Sequence, residues 1–207
     1  IEASGHRAGE DVFISLGIAA NERGDASGST LALDDRRLSG EEMGARIVEW
    51  TGRYPILSVE DPAGQDDWAT MAAVTAAIGD RVQVIGDDVL VTNADRVAQA
   101  GEAGVCNAAL IKVNQVGTVT EAKAALDAAQ ARGWGALVSA RSGETEDVTI
   151  AHLATGWNAG QLKVGSFTRS ERMAKWNEVL RIEEAMGGDA VFAGASAFAA
   201  PIAAALA

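Results

Sequence analysis

Short apolar runs alternate along this chain with longer segments of helical spacing, and this alternation constrains the fold most. The runs recur about every 25–30 residues, and each precedes a segment whose apolar residues repeat at intervals of three or four. Nearly continuous apolar strands joined by helical crossovers are typical of an α/β protein with a parallel sheet that helices cover. The predicted strands are residues 12–18, 54–60, 82–86, 108–113, 135–140 and, more weakly, 161–165.

An open doubly wound sheet and a barrel both fit this alternation, and the polar residues favour the barrel. A nucleotide-binding open sheet is expected to carry a GxGxxG or Walker A turn, and neither motif occurs in the sequence. Ionisable residues instead stand at the carboxyl ends of five predicted strands: Glu60, Asp87, Lys112, Arg141 and Lys163. Because those ends converge on one mouth in a barrel, we predict a TIM-type β/α barrel.

The number of strand and helix units predicts that this barrel is incomplete. Six units can be counted, whereas a closed barrel has eight. Residues 188–207 form an Ala-rich tail of low complexity, so we expect the missing units to precede residue 1. We therefore predict a partial barrel domain over residues 1–187, with a gap in its wall that an N-terminal portion or a partner fills. Eight barrel strands within the chain would contradict this.

Composition excludes several classes of function. The net charge of -12 and the absence of basic runs argue against a nucleic-acid partner. A single cysteine, Cys106, and two histidines offer neither an internal disulfide nor a zinc ligand set, which favours a reducing, cytoplasmic setting. No stretch approaches the roughly 18 uninterrupted apolar residues of a membrane span, so we expect no membrane partner.

Two acidic residues suggest a metal site. Glu60 and Asp87 follow neighbouring predicted strands and offer hard oxygen ligands of the kind that Mg²⁺ prefers. The alternative is that both are surface carboxylates or helix caps.

Two lysines suggest a base. Lys112 and Lys163 lie at the ends of otherwise apolar strands, where a buried charge is costly unless it is paired or lost. A lysine beside a metal ion and a second lysine gives up its proton more easily, which makes it a usable base. The alternative is that each lysine extends its ammonium group to solvent.

Arg141 and Ser142 suggest a phosphate-binding turn. They follow the fifth strand directly and combine a planar donor fork with a hydroxyl group. An equally open alternative pairs Arg141 with Glu144 or Glu146 in a solvated loop. Together with the acids and lysines, the turn describes a site that neutralises a carboxylate with a metal ion, removes the adjacent carbon-bound proton with a lysine and holds a phosphate. A lysine or histidine base beside Mg²⁺ resembles the sites of the enolase superfamily.

Several long motifs carry a resemblance to enolases from about residue 10 to about residue 187. They are VEDP (59–62), GDDVLVTN (86–93), LIKVNQVGT (110–118), SGETEDVTIAHLA (142–154), NAGQLKVGSFTRSER (158–172) and KWNEVLRIEE (175–184). The resemblance implies the later part of an enolase barrel. The family's N-terminal α+β domain, its first barrel units, its mobile serine loop and its acid and water-handling glutamates would then be absent from this chain.

The resemblance also implies roles, residue by residue. Glu60 and Asp87 match two of the family's three ligands for the first Mg²⁺, and Lys112 matches its proton-abstracting base. Arg141 and Ser142 match its phosphate and substrate contacts. Lys163 matches the lysine at the substrate carboxylate. The implied partner is a small phosphorylated carboxylic acid such as 2-phosphoglycerate, and the implied assembly is a homodimer or larger.

Two positions depart from the family pattern. Gly17 stands where the family has its first metal-ligating aspartate, and Ala140 stands where it has a substrate-contacting histidine. Neither side chain can coordinate or hydrogen-bond. Metal affinity is expected to fall unless substrate, water or Asp88 compensates. Three readings follow: an enolase-type lyase, a diverged paralogue with another reaction such as carboxyphosphonoenolpyruvate formation, or an inactive enolase fold kept for binding.

Overall fold

The computed structural model describes residues 1–20, 24–25, 28–31 and 36–206. The strands in these ranges are β1 (Ile14–Gly17), β2 (Gly24–Asp25), β3 (Gly28–Leu31), β4 (Arg36–Leu38), β5 (Ile56–Glu60), β6 (Gln83–Gly86), β7 (Ala108–Ile111), β8 (Gly135–Ser139) and β9 (Gly160–Lys163). The α-helices are α1 (Gly40–Arg53), α2 (Trp68–Ile78), α3 (Ala94–Glu102), α4 (Val113–Val116), α5 (Val119–Gln130), α6 (Thr149–Gly156), α7 (Ser170–Met186) and α8 (Ala200–Leu206).

One parallel sheet contains all six predicted strands. Its order is β1-β5-β6-β7-β8-β9, and every neighbouring pair is parallel. The predicted α/β class and the partial β/α barrel are confirmed. Within the described part of the chain, β1 and β9 pair on one side only, so the barrel sheet has six strands there rather than eight.

Two side-chain contacts show that the sheet is curled. Neighbouring strands lie about 4.8 Å apart, so β5 and β9, four positions apart, would be separated by about 19 Å in a flat sheet. Nζ of Lys163 at the end of β9 nevertheless lies 2.5 Å from Oε2 of Glu60 at the end of β5. Lower in the barrel, Gln83 and Gln161 exchange hydrogen bonds of 3.0 and 2.9 Å between β6 and β9. The strands therefore bend around a common axis.

Apolar residues fill both faces of this sheet. The larger cluster lies between the sheet and the helices and includes Ile47, Met71 and Leu126, which are fully buried. A smaller cluster lines the inside of the curve: Ile85, Ala108, Leu110 and Leu137. The inside of the curve therefore carries a small apolar cluster below the strand ends.

Local sequence signals set the starts of the first helices. Ser39 and Glu42 form the predicted capping box at α1, where each side chain accepts a backbone N–H of the other residue. Asp67 caps α2 by accepting the N–H of Thr70 at 3.1 Å. No helix in the described ranges combines the length and apolar character needed to cross a bilayer.

Two parts of the chain carry structure that the sequence patterns did not predict. β2, β3 and β4 form a separate antiparallel sheet before α1. In the tail, residues 194–197 form a 3₁₀ helix and α8 follows, with Ile202 fully buried. The tail contacts β9, because Nε2 of Gln161 donates to the carbonyl of Ala197 at 2.9 Å. The domain boundary at residue 187 stays a prediction.

Gly86 gives a testable packing constraint beside the strand ends. A Cβ atom at this position would lie 2.7 Å from Cγ of Leu90 and 2.8 Å from Cγ1 of Val89. Gly86→Ala is therefore expected to lower the free energy of unfolding by about 1–3 kcal/mol, measured by chemical denaturation. Gly52→Ala is the matched control, because Gly52 is an exposed helical glycine with open space around it. It is expected to raise that free energy by about 0.5–1 kcal/mol. Equal effects of both changes would contradict the packing.

Candidate active site

One cavity of about 1060 Å³ opens at the carboxyl ends of the barrel strands. All six residues singled out from the sequence line it: Glu60, Asp87, Lys112, Arg141, Ser142 and Lys163. They come from β5 and β9 and from the turns after β6, β7 and β8. The curl of the sheet is what brings them to one place, and their chemical roles stay predictions at this point.

Each lysine of the cavity is bound to a carboxylate. Nζ of Lys112 donates to Oδ2 of Asp87 at 2.5 Å, and Nζ of Lys163 donates to both oxygens of Glu60 at 2.7 and 2.5 Å. Both carboxylates are buried, and Lys112 keeps only 12% of its side-chain surface. Lys163 remains 45% exposed. Two positive and two negative charges thus balance at the floor of the cavity.

Asp61 shapes the turn that carries Asp87, and sequence reasoning missed it. Its two oxygens accept the N–H groups of Asp87 at 2.9 Å and Asp88 at 2.8 Å. Burial raises the pKa of Asp61 to about 7, against the opposing effect of these two donors. Its position directly after β5, in the sequence Glu-Asp-Pro, was the available signal. One carboxylate oxygen from each of Asp61, Asp87 and Asp88 lies within 4.8 Å of the other two.

A buried threonine fixes the start of the Lys112 turn. Oγ1 of Thr92 accepts the N–H of Lys112 at 3.0 Å and donates to Oε1 of Gln115 at 2.7 Å. Thr92 has a φ of 53°, which is rare for a β-branched residue. Because Thr92 is fully buried, the surrounding structure holds this strained backbone in place.

Arg141 does contact Glu144, one of the two acids proposed as its partner in a solvated loop, but through its backbone rather than its guanidinium. Its Nη1 donates to the carbonyl of Asn114 at 3.0 Å, while its backbone N–H donates to Oε1 of Glu144 at 2.7 Å. Burial opposes the charge of Glu144, yet the donors around it, Arg141 N–H and Lys175 foremost, hold the pKa of this carboxyl below its usual value. Glu144 therefore fixes the backbone of Arg141 and leaves its guanidinium at the cavity.

Both departures from the enolase pattern lie at the mouth. Gly17 pairs in register with Glu60, and Ser15, two residues earlier, accepts a 2.6 Å hydrogen bond from Ser58. Side chains two apart in a strand share a face, so a side chain at position 17 would point into the same interior. Nothing lies within 4 Å of a Cβ placed there. Ala140 lines the cavity, with its N–H donating to the carbonyl of Lys163.

The carboxylate oxygens at the cavity are of the type that binds Mg²⁺. Glu60 and Asp87 present hard carboxylate oxygens on adjacent strands, and such oxygens with water and substrate are the usual ligands of Mg²⁺. Gly17 contributes none. The site therefore offers two carboxylates at strand ends, and each already accepts a hydrogen bond from a lysine.

Comparisons with known proteins agree with this geometry. The family model described as "Enolase, C-terminal TIM barrel domain" matches residues 1–201. The chain is 48% identical over 202 residues to a protein named Enolase 1 from Desulfitobacterium hafniense, covering 97% of this chain and 46% of that protein. It is also 48% identical over 198 residues to a protein named Enolase from Mycobacteroides abscessus, covering 96% of this chain and 46% of that protein. The chain thus spans about half the length of these curated relatives, and it belongs to the enolase C-terminal TIM barrel domain family.

Proposed function

We propose that the protein carrying this chain is a lyase that removes water from 2-phosphoglycerate, or from a related phosphorylated or phosphonylated acid, with Mg²⁺ as cofactor. The product would be an acid of the phosphoenolpyruvate type. One observation carries the proposal: two lysines, two carboxylates and Arg141 from five consecutive barrel strands line a single cavity. That arrangement suits a small acid with two anionic groups.

Each of these residues has a role in the proposed reaction. Once its ammonium group has released a proton to solvent, Nζ of Lys112 takes the proton from the carbon next to the substrate carboxylate. The freed electron pair forms the double bond as the carbon–oxygen bond at the next carbon breaks. The departing hydroxide takes up a proton and leaves as water. Lys163 binds the substrate carboxylate, and Arg141 and Ser142 bind the phosphate.

The remaining groups are assigned to the metal and to the rest of the protein. Glu60 and Asp87 would hold Mg²⁺, which when bound neutralises the carboxylate of the acid and makes the neighbouring proton easier to remove. The acid that protonates the departing hydroxide is expected, from the family resemblance, in the part of the relatives that this chain does not span. A cytoplasmic setting and a homo-oligomer belong to the same proposal.

The substitutions at the mouth favour a second candidate. Gly17 removes a negative ligand and Ala140 removes an imidazole, while the lysines and Arg141 are retained. Smaller side chains at these two positions leave room for a different acid and suit a diverged paralogue, such as one that forms carboxyphosphonoenolpyruvate. They also suit an inactive fold that is kept for binding.

Two measurements on the full-length protein separate these candidates. Calorimetric titration of Mg²⁺ is made with and without 2-phosphoglycerate, and formation of the enol product is followed by its ultraviolet absorbance. Saturable Mg²⁺ binding that strengthens with 2-phosphoglycerate, together with product formation, supports the lyase. Binding without product favours a paralogue with another substrate. Absence of both would overturn the proposal in favour of an inactive binding protein.

A further inference from the structure

Arg172, near the start of α7, joins two loops at the cavity. Its Nη1 donates to the carbonyls of Arg141 at 2.9 Å and Val164 at 3.0 Å, and its Nη2 donates to the carbonyl of Ser142 at 3.0 Å. The first and third carbonyls belong to the loop after β8, and the second follows β9. One guanidinium thus fixes the distance between the two loops that form one side of the mouth.

The contact requires an arginine and a glycine. A guanidinium offers several N–H groups in a rigid plane, which lets it reach three carbonyls at once, whereas an ammonium group is a compact donor on a flexible stem. Gly165 makes room for it: its φ is +126°, and a Cβ there would lie 3.3 Å from Cδ and Nε of Arg172. The loop after β9 is therefore shaped to receive this side chain.

Lys175, one turn later on α7, holds the same loop from behind. It is fully buried, and its Nζ donates to the carbonyls of Thr145 at 2.8 Å and Glu171 at 3.0 Å and lies 3.1 Å from Oε2 of Glu144. The other oxygen of Glu144 accepts the N–H of Arg141. A buried ammonium is tolerated only when its charge is paired and its donors are satisfied, as they are here.

Arg172 also differs from the lysines in its charge balance. Lys112 and Lys163 each bind a carboxylate, but no ion pair joins Arg172 to an acidic residue in the described ranges. All three of its hydrogen bonds go to neutral carbonyls. Its positive charge is therefore balanced by carbonyl oxygens rather than by a carboxylate, and it lies beside Arg141 at the wall of the cavity.

We propose that Arg172 is a positioning residue for anion binding: it holds Arg141 and Ser142, with Lys175 and Glu144 as a second support, in the conformation that receives the phosphate or phosphonate of the substrate. The clamp itself follows from the contacts above, whereas the identity of the anion rests on the proposed function. Loss of the clamp should weaken binding of the phosphorylated group more than binding of the carboxylate, which Lys163 receives on another strand.

The test uses the full-length protein with Arg172→Lys and Arg172→Gln. Amide hydrogen exchange over residues 141–145 is measured without ligand, and affinities are measured for 2-phosphoglycerate and for glycerate, which lacks the phosphate. We expect the exchange rate at these amides to rise by a factor of roughly ten or more. We expect the affinity for 2-phosphoglycerate to fall roughly tenfold, which is the effect of losing one hydrogen bond to a charged group. Affinity for glycerate should change little. In kinetics, KM should rise more than kcat falls.

Arg181→Lys is the matched control, since Arg181 is an exposed arginine of the same helix whose ion pair is with Glu178. It should change neither exchange nor affinity. Equal loss of both ligands would overturn the positioning role, and so would unchanged exchange in the Arg172 variants. If the parent protein binds neither ligand, the proposed function fails, and faster exchange in the variants alone still supports the clamp.

Discussion

Replacing Lys112 by arginine should lower the turnover number of the full-length protein about 10²- to 10⁴-fold, the usual contribution of a positioned general base. Arginine keeps a positive charge beside Asp87, which Lys112 now contacts at 2.5 Å. It cannot serve as a base, because a guanidinium does not lose its proton in proteins. The change therefore removes proton abstraction and preserves the ion pair.

Preserving the pair is important, because the partner carboxylate is buried. Asp87 keeps only 11% of its side-chain surface exposed, so Lys112→Ala would leave an unpaired buried charge. A loss of activity in that variant could then come from lower stability as well as from loss of the base. The measurement is product absorbance, together with exchange of the carbon-bound hydrogen of 2-phosphoglycerate in D₂O. Both should fall together in Lys112→Arg.

A lysine outside the cavity supplies the control for this experiment. Lys123 is a partly exposed residue of α5 that pairs with Asp127 in the same helix, so Lys123→Arg should leave both rates unchanged. If Lys112→Arg retained full hydrogen exchange at carbon, another group would be the base and the assignment of Lys112 would be wrong.

The barrel strands could be predicted from the sequence because a strand that is buried on both faces consists largely of apolar residues. β6, β7 and β8 are buried along their whole length, and each appears in the sequence as an apolar run. Polar residues at the ends of such runs stand out for the same reason, which is why Asp87 and Lys112 could be singled out. β2 to β4 could not be predicted in this way, because sequences such as GSTL and RRL show no apolar run.

The supporting contacts of the site could not be read from the sequence, because they join loops that are distant along the chain. Arg172 meets Ser142 across 30 residues, and Lys163 meets Glu60 across 103. The second contact depends on the curl of the sheet, and the first depends on where α7 packs against the loops after β8 and β9, and no local pattern records either. A sequence pattern thus identifies residues that face the mouth, whereas their partners follow only from the three-dimensional arrangement of the strands, loops and helices.

Gly17→Asp should strengthen Mg²⁺ binding about 10- to 100-fold. Losing a residue that only supports a metal ligand weakens metal binding by this factor, and a direct ligand should contribute no less. Gly17 lies in register beside Glu60, on the face of β1 that points inward, and a Cβ there meets nothing within 4 Å. Its backbone is not in the left-handed region, so an aspartate adds no strain there. The new carboxylate would supply a third hard oxygen donor at the mouth.

Two variants separate coordination from charge in this experiment. Gly17→Asn offers an oxygen without a charge and should give a smaller gain. Gly52→Asp adds the same charge at an exposed position of α1 and should leave Mg²⁺ affinity unchanged in calorimetry. If Gly17→Asp left Mg²⁺ affinity unchanged, the third carboxylate would not complete a metal site. The retained Glu60 and Asp87 would then serve to hold Lys163 and Lys112, which they already bind, rather than a metal ion.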